Sequence, residues 1–365
     1  MGKNIAVVFG GRSNENEISV ITGTMAANVL KSGGDRVIPL YLTCDNEFFC
    51  GEGLADISVF KDGGYKKFNK AFVANGGVYV LNKRGRVKKF VKIDVALNCC
   101  HGGLGEGGGV CGLFALNSIP LASAGMFESA AFLDKYYTKL VLKSLGVKTC
   151  EYVYLRSPEE YSSAEKLGYP LIVKPAKLGS SIGIECVENA EELKEAVEAA
   201  FLYDDGVLCE KYVEDRREIN CAAYYSKGKV LTSECEEAVS AGEILSFDDK
   251  YAGGGKSVLP AHIPDAISNK IKKITADVYT KLNMRGIVRF DFLLSGTTVY
   301  LSEINTVPGS LSYYLLSSGF KNFYTVLQAV IVQAEEDFKA ASEKKILTTG
   351  ILNDIRSGAY KTGGK

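Results

Sequence analysis

The sequence predicts an α/β fold that opens on a parallel sheet, and three observations carry that prediction. Residues 5–9 form a short continuous apolar run, the pattern of a strand buried on both faces. The run ends in Gly10-Gly11-Arg12-Ser13, and a helical period over 18–30 separates it from a second strand at 37–42. A third apolar run, 95–100, delivers the glycine-rich loop 101–109 and a short helix at 110–117. Strand, glycine loop, helix and strand in this order build parallel sheets with crossover helices.

Between these segments, residues 45–92 are less regular, with 76–82 reading as part of a hairpin. A second unit begins near Gly125. Residues 129–145 predict one helix with Gly146 as its C-cap. A strand follows at 149–155, and Ser157-Pro158 opens a helix, with Ser as N-cap and Pro at its first position. Strands at 171–175 and 206–213 flank the loop 177–183 and an amphipathic helix at 189–202. Beyond this, strands at 218–225, 230–236, 287–294 and 298–304 and helices at 265–282 and 323–341 complete the chain. The expected division is 1–124, 125–210 and 211–345, with 346–365 a polar, Gly-rich tail.

Composition narrows the function class. The 365 residues exceed one ordinary domain, and 43 basic residues balance 43 acidic ones. A net charge of zero predicts no nucleic-acid partner and no attraction to an anionic membrane. Ten scattered cysteines contain no CxxC and read as buried thiols of a reducing compartment. The N-terminus enters the first strand with no apolar leader, and no stretch is long enough to span a bilayer, which predicts a cytoplasmic enzyme.

Some chemistries are poorly served. Gly10-Gly11 lacks dinucleotide spacing, and Gly255-Lys256-Ser257 fails as a phosphate loop because Lys250 stands where a glycine is required. Two histidines, His101 and His262, form no metal or triad pattern with the cysteines.

The strongest constellation is Arg289-Phe290-Asp291 with Glu303-Ile304-Asn305. Residues two apart share a strand face, so each strand offers a polar pair. Two carboxylates and an amide are hard oxygen donors suited to Mg²⁺, and a guanidinium beside them can stabilise developing negative charge. Solvated edge strands are the bland alternative, and the apolar residues around the motif argue against it. Lys174 and the loop 177–183 can cradle a phosphate, or form a plain surface turn. Glu210-Lys211-Tyr212-Val213 reads as a strand end or an adenine-reading hinge. Asp248-Asp249-Lys250-Tyr251 with Gly253-Gly254-Gly255 reads as a solvent loop or a closing one. Ser13, Glu15 and Glu17 lie in the first strand-to-helix turn, either as dipole complements or at the ligand edge of a parallel sheet.

In this order the segments resemble the D-alanine–D-alanine ligases of the ATP-grasp superfamily. The resemblance is carried by Gly10-Gly11-Arg12-Ser13 with Glu15-Asn16-Glu17-Ile18-Ser19, His101-Gly102 with Gly105-Glu106 and Gly108, and Asp134-Lys135 with Lys139. It continues through Lys174-Pro175, Gly179-Ser180-Ser181-Ile182-Gly183, Glu210-Lys211, Lys250-Tyr251, Arg289-Phe290-Asp291 and Glu303-Ile304-Asn305-Thr306-Val307-Pro308-Gly309. It implies an ATP-grasp fold behind an N-terminal parallel-sheet domain, and ATP-dependent joining of two D-alanines through a D-alanyl phosphate for peptidoglycan precursors. It implies ATP with two Mg²⁺ ions (or Mn²⁺), small amino-acid substrates and a homodimer.

By position, the resemblance places Lys135, Lys174 and Lys250 on the phosphates under the loop of Gly179, Ser180 and Ser181. Glu210, Lys211 and Val213 hold adenine and Glu218 the ribose. Asp291, Glu303 and Asn305 bind metal. Glu15, linked to Ser180 and Tyr251, takes the first ammonium, and His101 lies beside the first carboxylate. Arg289 and the Gly309 amide form the oxyanion site. The chain departs from the pattern after Gly309. Ser310-Leu311-Ser312-Tyr313-Tyr314-Leu315 replaces the usual Met-Thr run, and Tyr314 falls where a Ser binds the second carboxylate. Gly107 also replaces an acidic residue. Ser310, Ser312 and Tyr314 are the residues left to hold the second substrate, beside Leu315. The other readings are a different second substrate (D-serine, D-lactate or another amino acid) and a catalytically silent nucleotide-binding homologue.

Overall fold

A computed structural model describes residues 3–239, 256–348 and 350. The first sheet contains β1 (Asn4–Gly10), β2 (Arg36–Leu42), β3 (Phe48–Cys50), β4 (Asn69–Ala74), β5 (Gly77–Leu81), β6 (Val87–Lys92), β7 (Val95–Asn98) and β8 (Leu121–Ala122). Their order is β6-β5-β4-β3-β2-β1-β7-β8. The parallel core is β2-β1-β7-β8, as the buried runs predict, and β3 to β6 extend it as an antiparallel meander. Helix α1 (Asn16–Ser32) follows β1, while α2 (Gly103–Glu106) and α3 (Gly109–Leu116) follow β7. The loops after β1 and β7 therefore lie side by side at the C-terminal edge of the sheet, where a parallel sheet offers backbone ends to a ligand. Gly10 ends β1 at φ +95°, and a Cβ there would stand 2.2 Å from the Leu42 carbonyl oxygen, so only glycine lets the chain turn at this point.

The predicted helix 129–145 is two helices, α4 (Met126–Leu133) and α5 (Lys135–Ser144). Asp134 breaks it. Its backbone is extended, and its carboxylate accepts from the Tyr136 N–H at 2.8 Å and the Tyr137 N–H at 3.3 Å, which makes it the N-cap of α5. The other end closes as expected, with Gly146 at φ +70° donating to Lys143 and Val147 donating to Leu142. The second sheet joins β9 (Tyr152–Leu155), β10 (Leu171–Pro175), β11 (Glu185–Val187) and β12 (Val207–Lys211), antiparallel in the order β11-β10-β12-β9. Helix α6 (Ala190–Ala200) covers it. The helix opened by Ser157-Pro158 is a 3₁₀ helix, Pro158–Leu167.

The third sheet holds β13 (Arg217–Ser226), β14 (Lys229–Thr232), β15 (Glu236–Val239), β16 (Lys256–Val258), β17 (Ile287–Ser295) and β18 (Thr298–Asn305). The order is β16-β15-β13-β17-β18, with β14 beside β13. The strand predicted at 230–236 is thus two strands, and buried Ser233 sits at the break, its hydroxyl accepting from the Ala222 N–H at 2.9 Å. Helix α7 (Asp265–Lys281) packs on this sheet. After α8 (Tyr313–Leu316), the long α9 (Phe320–Ser342) returns to the first sheet and buries Phe323, Leu327 and Ile331 among Val7, Phe9 and Val95. Each such side chain taken from water is worth about 1.5–3 kcal/mol. The Lys3–Glu335 and Arg285–Asp337 pairs, both at 2.5 Å, tie this helix to the first sheet and to the start of β17. The N-terminal sheet is therefore held against the third sheet, and a cleft lies between them. All ten cysteines are free thiols, and eight of them are buried.

Candidate functional site

The floor of the cleft is one face of the third sheet. Strands β17 and β18 are antiparallel, with Asp291 opposite Glu303 and Arg289 opposite Asn305. The same row continues through Asn220 on β13 to Glu236 on β15. Arg289 donates twice to its strand neighbour Asp291, and the Asn305 amide donates to Asp291 at 2.8 Å. The Asp291 side of the register slips by one residue toward Phe292, which leaves Ser302 as an extra residue beside Glu303. Buried Phe290 and Phe292 anchor the opposite face. The alternation read from the sequence holds, although Leu293 faces the cleft with Asp291 rather than joining the core.

The roof comes from the second sheet and α5. Lys174 near the end of β10 and Glu210 on β12 are both buried, 2.6 Å apart. Lys139, fully buried on α5, contacts the other Glu210 oxygen. Burial alone would raise the Glu210 carboxyl, but the two ammoniums outweigh it and hold the pKa below the usual value. Burial works against charge on Lys174 as well, and the Glu210 and Glu303 carboxylates reverse that and raise its pKa. Lys135, one turn before Lys139, donates its ammonium to the Leu178 carbonyl and stands 3.7 Å from Glu303.

The N-terminal loops form the far wall. The Ser180 hydroxyl donates to the Glu15 carboxylate, joining the Gly179–Ser180 loop to the turn after β1. Gly179 lets the loop approach closely, since a Cβ there would stand 2.7 Å from a Glu15 oxygen and push that carboxylate aside. His101 is buried between two partners, Thr22 at Nε2 and the Val307 carbonyl at Nδ1, each 2.7 Å away. A carbonyl only accepts, so Nδ1 carries the proton and Nε2 accepts from the Thr22 hydroxyl. That hydroxyl oxygen in turn accepts from the Ser310 N–H at 3.0 Å. Burial, offset in part by the Val307 bond and reinforced by Arg289, lowers the His101 pKa to about 4 and leaves the ring neutral. Glu106 accepts from the Gly102 and Val307 amides, and burial with the nearby Glu15 charge raises its pKa to about 7.

After Gly309 the backbone takes an unusual course. Ser310, Leu311 and Ser312 are all left-handed, with φ of 49°, 47° and 51°. Each such residue costs about 1–2 kcal/mol, and the turn is held by burial of Leu311 and Ser312 and by the bond to Thr22. Tyr314 follows, more than a third exposed as a residue but with its hydroxyl directed to the Arg289 guanidinium. Burial of that end pushes its pKa up to about 12 despite the cation.

Two cavities meet on this floor. One is walled by Glu15, His101, Ser180, Arg289, Asn305 and Gly309. The other is walled by Lys174, Ser181, Glu210, Glu218 and Asp291, and Glu303 borders both. Lys135 and Gly179 belong to the first. Lys211 is exposed and Val213 half-buried just past β12, while Ser310, Ser312, Tyr314 and Leu315 lie behind Gly309, outside the first cavity's wall. Lys250 and Tyr251 lie outside the described residues. Motif reading missed Lys139 as a partner of Glu210, Thr22 as a partner of His101 and Ser310, and Glu236 in the cross-strand row. A helix position four after Lys135 was the available signal for Lys139. Glu236 had none, because its row exists only once four strands align.

An ATP-grasp fold with such a paired cleft defines an ATP-dependent carboxylate–amine ligase. Family models for the D-ala D-ala ligase N-terminus and C-terminus match residues 4–124 and 141–333. A D-alanine–D-alanine ligase of Thermosipho africanus is 36% identical over 93% of this chain and 95% of its own length. The crystal structure of the Helicobacter pylori D-alanine–D-alanine ligase superposes with TM-score 0.73 at 29% identity, covering 90% of this chain and 98% of that one. The Coxiella burnetii enzyme shares the fold, with TM-score 0.79 at 21% identity over 94% and 96% of the two chains. The chain belongs to the D-alanine–D-alanine ligase family, whose members use ATP and act on small amino acids. Among the described residues, no helix is long and apolar enough to cross a membrane.

Proposed function

We propose that this chain joins two D-alanines into D-alanyl-D-alanine through a D-alanyl phosphate, supplying a peptidoglycan precursor in the cytoplasm. The observation that carries the reading is the junction at Glu303. One cavity offers Lys174, Ser181, Glu210 and Glu218 to a nucleotide, and the other offers a carboxylate, a neutral imidazole and a guanidinium to an amino acid, with Lys135 and Gly179 on its wall beside Glu303. A γ-phosphoryl group at the junction can pass from one to the other.

Residue roles follow from charge and place. Glu15, held by Ser180, takes the first ammonium, with Tyr251 as the further partner expected from the sequence. Lys135 and Lys174, with Lys250, offset phosphate charge, and Ser181 adds a hydroxyl. Glu210, Lys211, Val213 and Glu218 surround the nucleoside. A substrate carboxylate oxygen then attacks the γ-phosphorus and the bond to the bridging oxygen of ADP breaks. The second amine attacks the acyl carbon, the acyl–phosphate bond breaks, and the amine proton is lost. Arg289 and the Gly309 amide stabilise the tetrahedral oxygen. His101 holds the Pro308-Gly309 segment through Val307 and Thr22.

Asp291, Glu303 and Asn305 fit Mg²⁺ or Mn²⁺. They are oxygen donors aligned across two strands, few enough that phosphate oxygens complete the shell. Bound there, two such ions would neutralise polyphosphate charge. Ser310, Ser312, Tyr314 and Leu315 form the back of the second-substrate region. The same reading divides the chain at 1–124, 125–210 and 211–345, and takes the working form to be a homodimer.

The test is ADP release with Mg²⁺-ATP and D-alanine, D-serine or D-lactate, singly and in pairs, with products weighed by mass spectrometry. Dipeptide from D-alanine alone is the expected result. Turnover only with a mixed pair would replace the second substrate, and no turnover with any would overturn the ligase reading.

A further inference from the structure

Lys139 has no role in the reading above, yet it is the most deeply buried charged side chain at the site. It shows no exposed surface, and its ammonium lies against Glu210 on one side and 5.4 Å from the centre of the Tyr152 ring on the other. A buried charge persists only when it is paired. Glu210 supplies that pairing, but it also pairs with Lys174 at 2.6 Å. Two ammoniums share one buried carboxylate, and the trio keeps one net positive charge. Lys174 and Glu210 line the nucleotide-side cavity, whereas Lys139 stands behind them, outside its wall.

We propose that Lys139 is a positioning residue for the nucleotide site. By taking one oxygen of Glu210, it leaves Lys174 only half-neutralised and able to give its ammonium to an ATP phosphate. The inference rests on the reading that this cavity holds ATP. Without Lys139, Glu210 has Lys174 as its remaining cation, and the two carboxylate oxygens draw that ammonium away from the phosphates. Lys139 touches no ligand and acts entirely through Glu210. Distance alone makes this division of labour. Lys139 lies one helical turn beyond Lys135, on the same face of α5, so the helix aims one ammonium at Glu303 and the next at Glu210.

The experiment compares full-length wild type with Lys139→Met and Lys139→Gln. It measures ATP affinity by calorimetry, KM for ATP and for D-alanine, and melting temperature. Loss of one charge-assisted contact predicts ATP binding weaker by about ten- to a hundredfold in both single variants. The KM for D-alanine should stay within about threefold of wild type, because its pocket is untouched. If Lys139→Met does not fold, Lys139→Gln, which keeps a donor toward Glu210, carries the comparison. An ATP affinity in Lys139→Gln equal to that of wild type would overturn the proposal, as would an equal rise in the KM for D-alanine. Wild type that binds no ATP would instead overturn the nucleotide reading beneath it.

Discussion

Arg289 grips Asp291, its neighbour two residues along the same strand, through two hydrogen bonds of 2.7 and 2.8 Å. Residues two apart share a strand face, and a guanidinium fork matches a carboxylate's two oxygens. The residue proposed for the oxyanion thus also orients one proposed for the metal. Arg289→Ala removes both services, and kcat should fall about 10²–10³-fold, the scale for loss of one oxyanion donor. Arg289→Lys, which cannot form the fork, should recover little. Steady-state rates on folded protein decide this, and an Arg289→Lys variant of near wild-type rate would count against it.

The Ser180–Glu15 bond joins elements that lie 165 residues apart in the chain. A hydroxyl bonded to a carboxylate is charge-assisted and couples its partners by about 1–3 kcal/mol. Ser180→Ala and Glu15→Gln should each raise the KM for the first D-alanine, and the double variant should do so less than additively. Full additivity in the double-mutant cycle would show that the contact does not organise the site.

Tyr314 is predicted to act through Arg289. Tyr314→Phe removes the hydroxyl beside the guanidinium, and kcat should fall about tenfold, the worth of a hydrogen bond to a charged group. Tyr314→Ser should change the ratio of D-serine to D-alanine incorporation at the second position, read by product mass. Unchanged rate in the first variant and unchanged ratio in the second would remove Tyr314 from the site.

Glu106 and His101 titrate in opposite senses. The Glu106 pKa rises from 4.5 to about 7 on folding, so the native state binds the extra proton and stability falls as pH rises through that window. The His101 pKa drops from 6.5 to about 4, so its contribution is present above 6.5 and is lost as pH falls toward 4. The two slopes oppose each other in the wild type, and Glu106→Gln isolates the second effect: between about pH 5 and 7 its melting temperature should rise with pH relative to that of the wild type. Parallel melting curves for the two proteins across that range would contradict the assignment.

Much of this architecture is written locally. The parallel core of the first sheet follows from apolar runs at β1, β2 and β7, because a strand buried on both faces tolerates no alternation. Arg289, Asp291, Glu303 and Asn305 were legible for the same reason, as polar residues breaking an apolar period at the spacing of one strand face. The break at Asp134 was not read, although its signal is local. An Asp before a helical run caps a new helix as readily as it continues an old one, and only the extended backbone decides between them.

Charge pairing across the cleft depended on tertiary structure alone. Nothing near Glu210 in the sequence says that its carboxylate holds Lys139 and Lys174, since the three come from α5, β10 and β12. Glu236 joins Asn220, Asp291 and Glu303 only because four strands align in register. His101 is neutral because α1 and the Pro308-Gly309 segment close over it and exclude water. Periodicity, capping and glycine placement are short-range and survive in a linear reading. Burial, ion pairing and pKa depend on which distant segments displace water from one another, and the folded chain alone sets that.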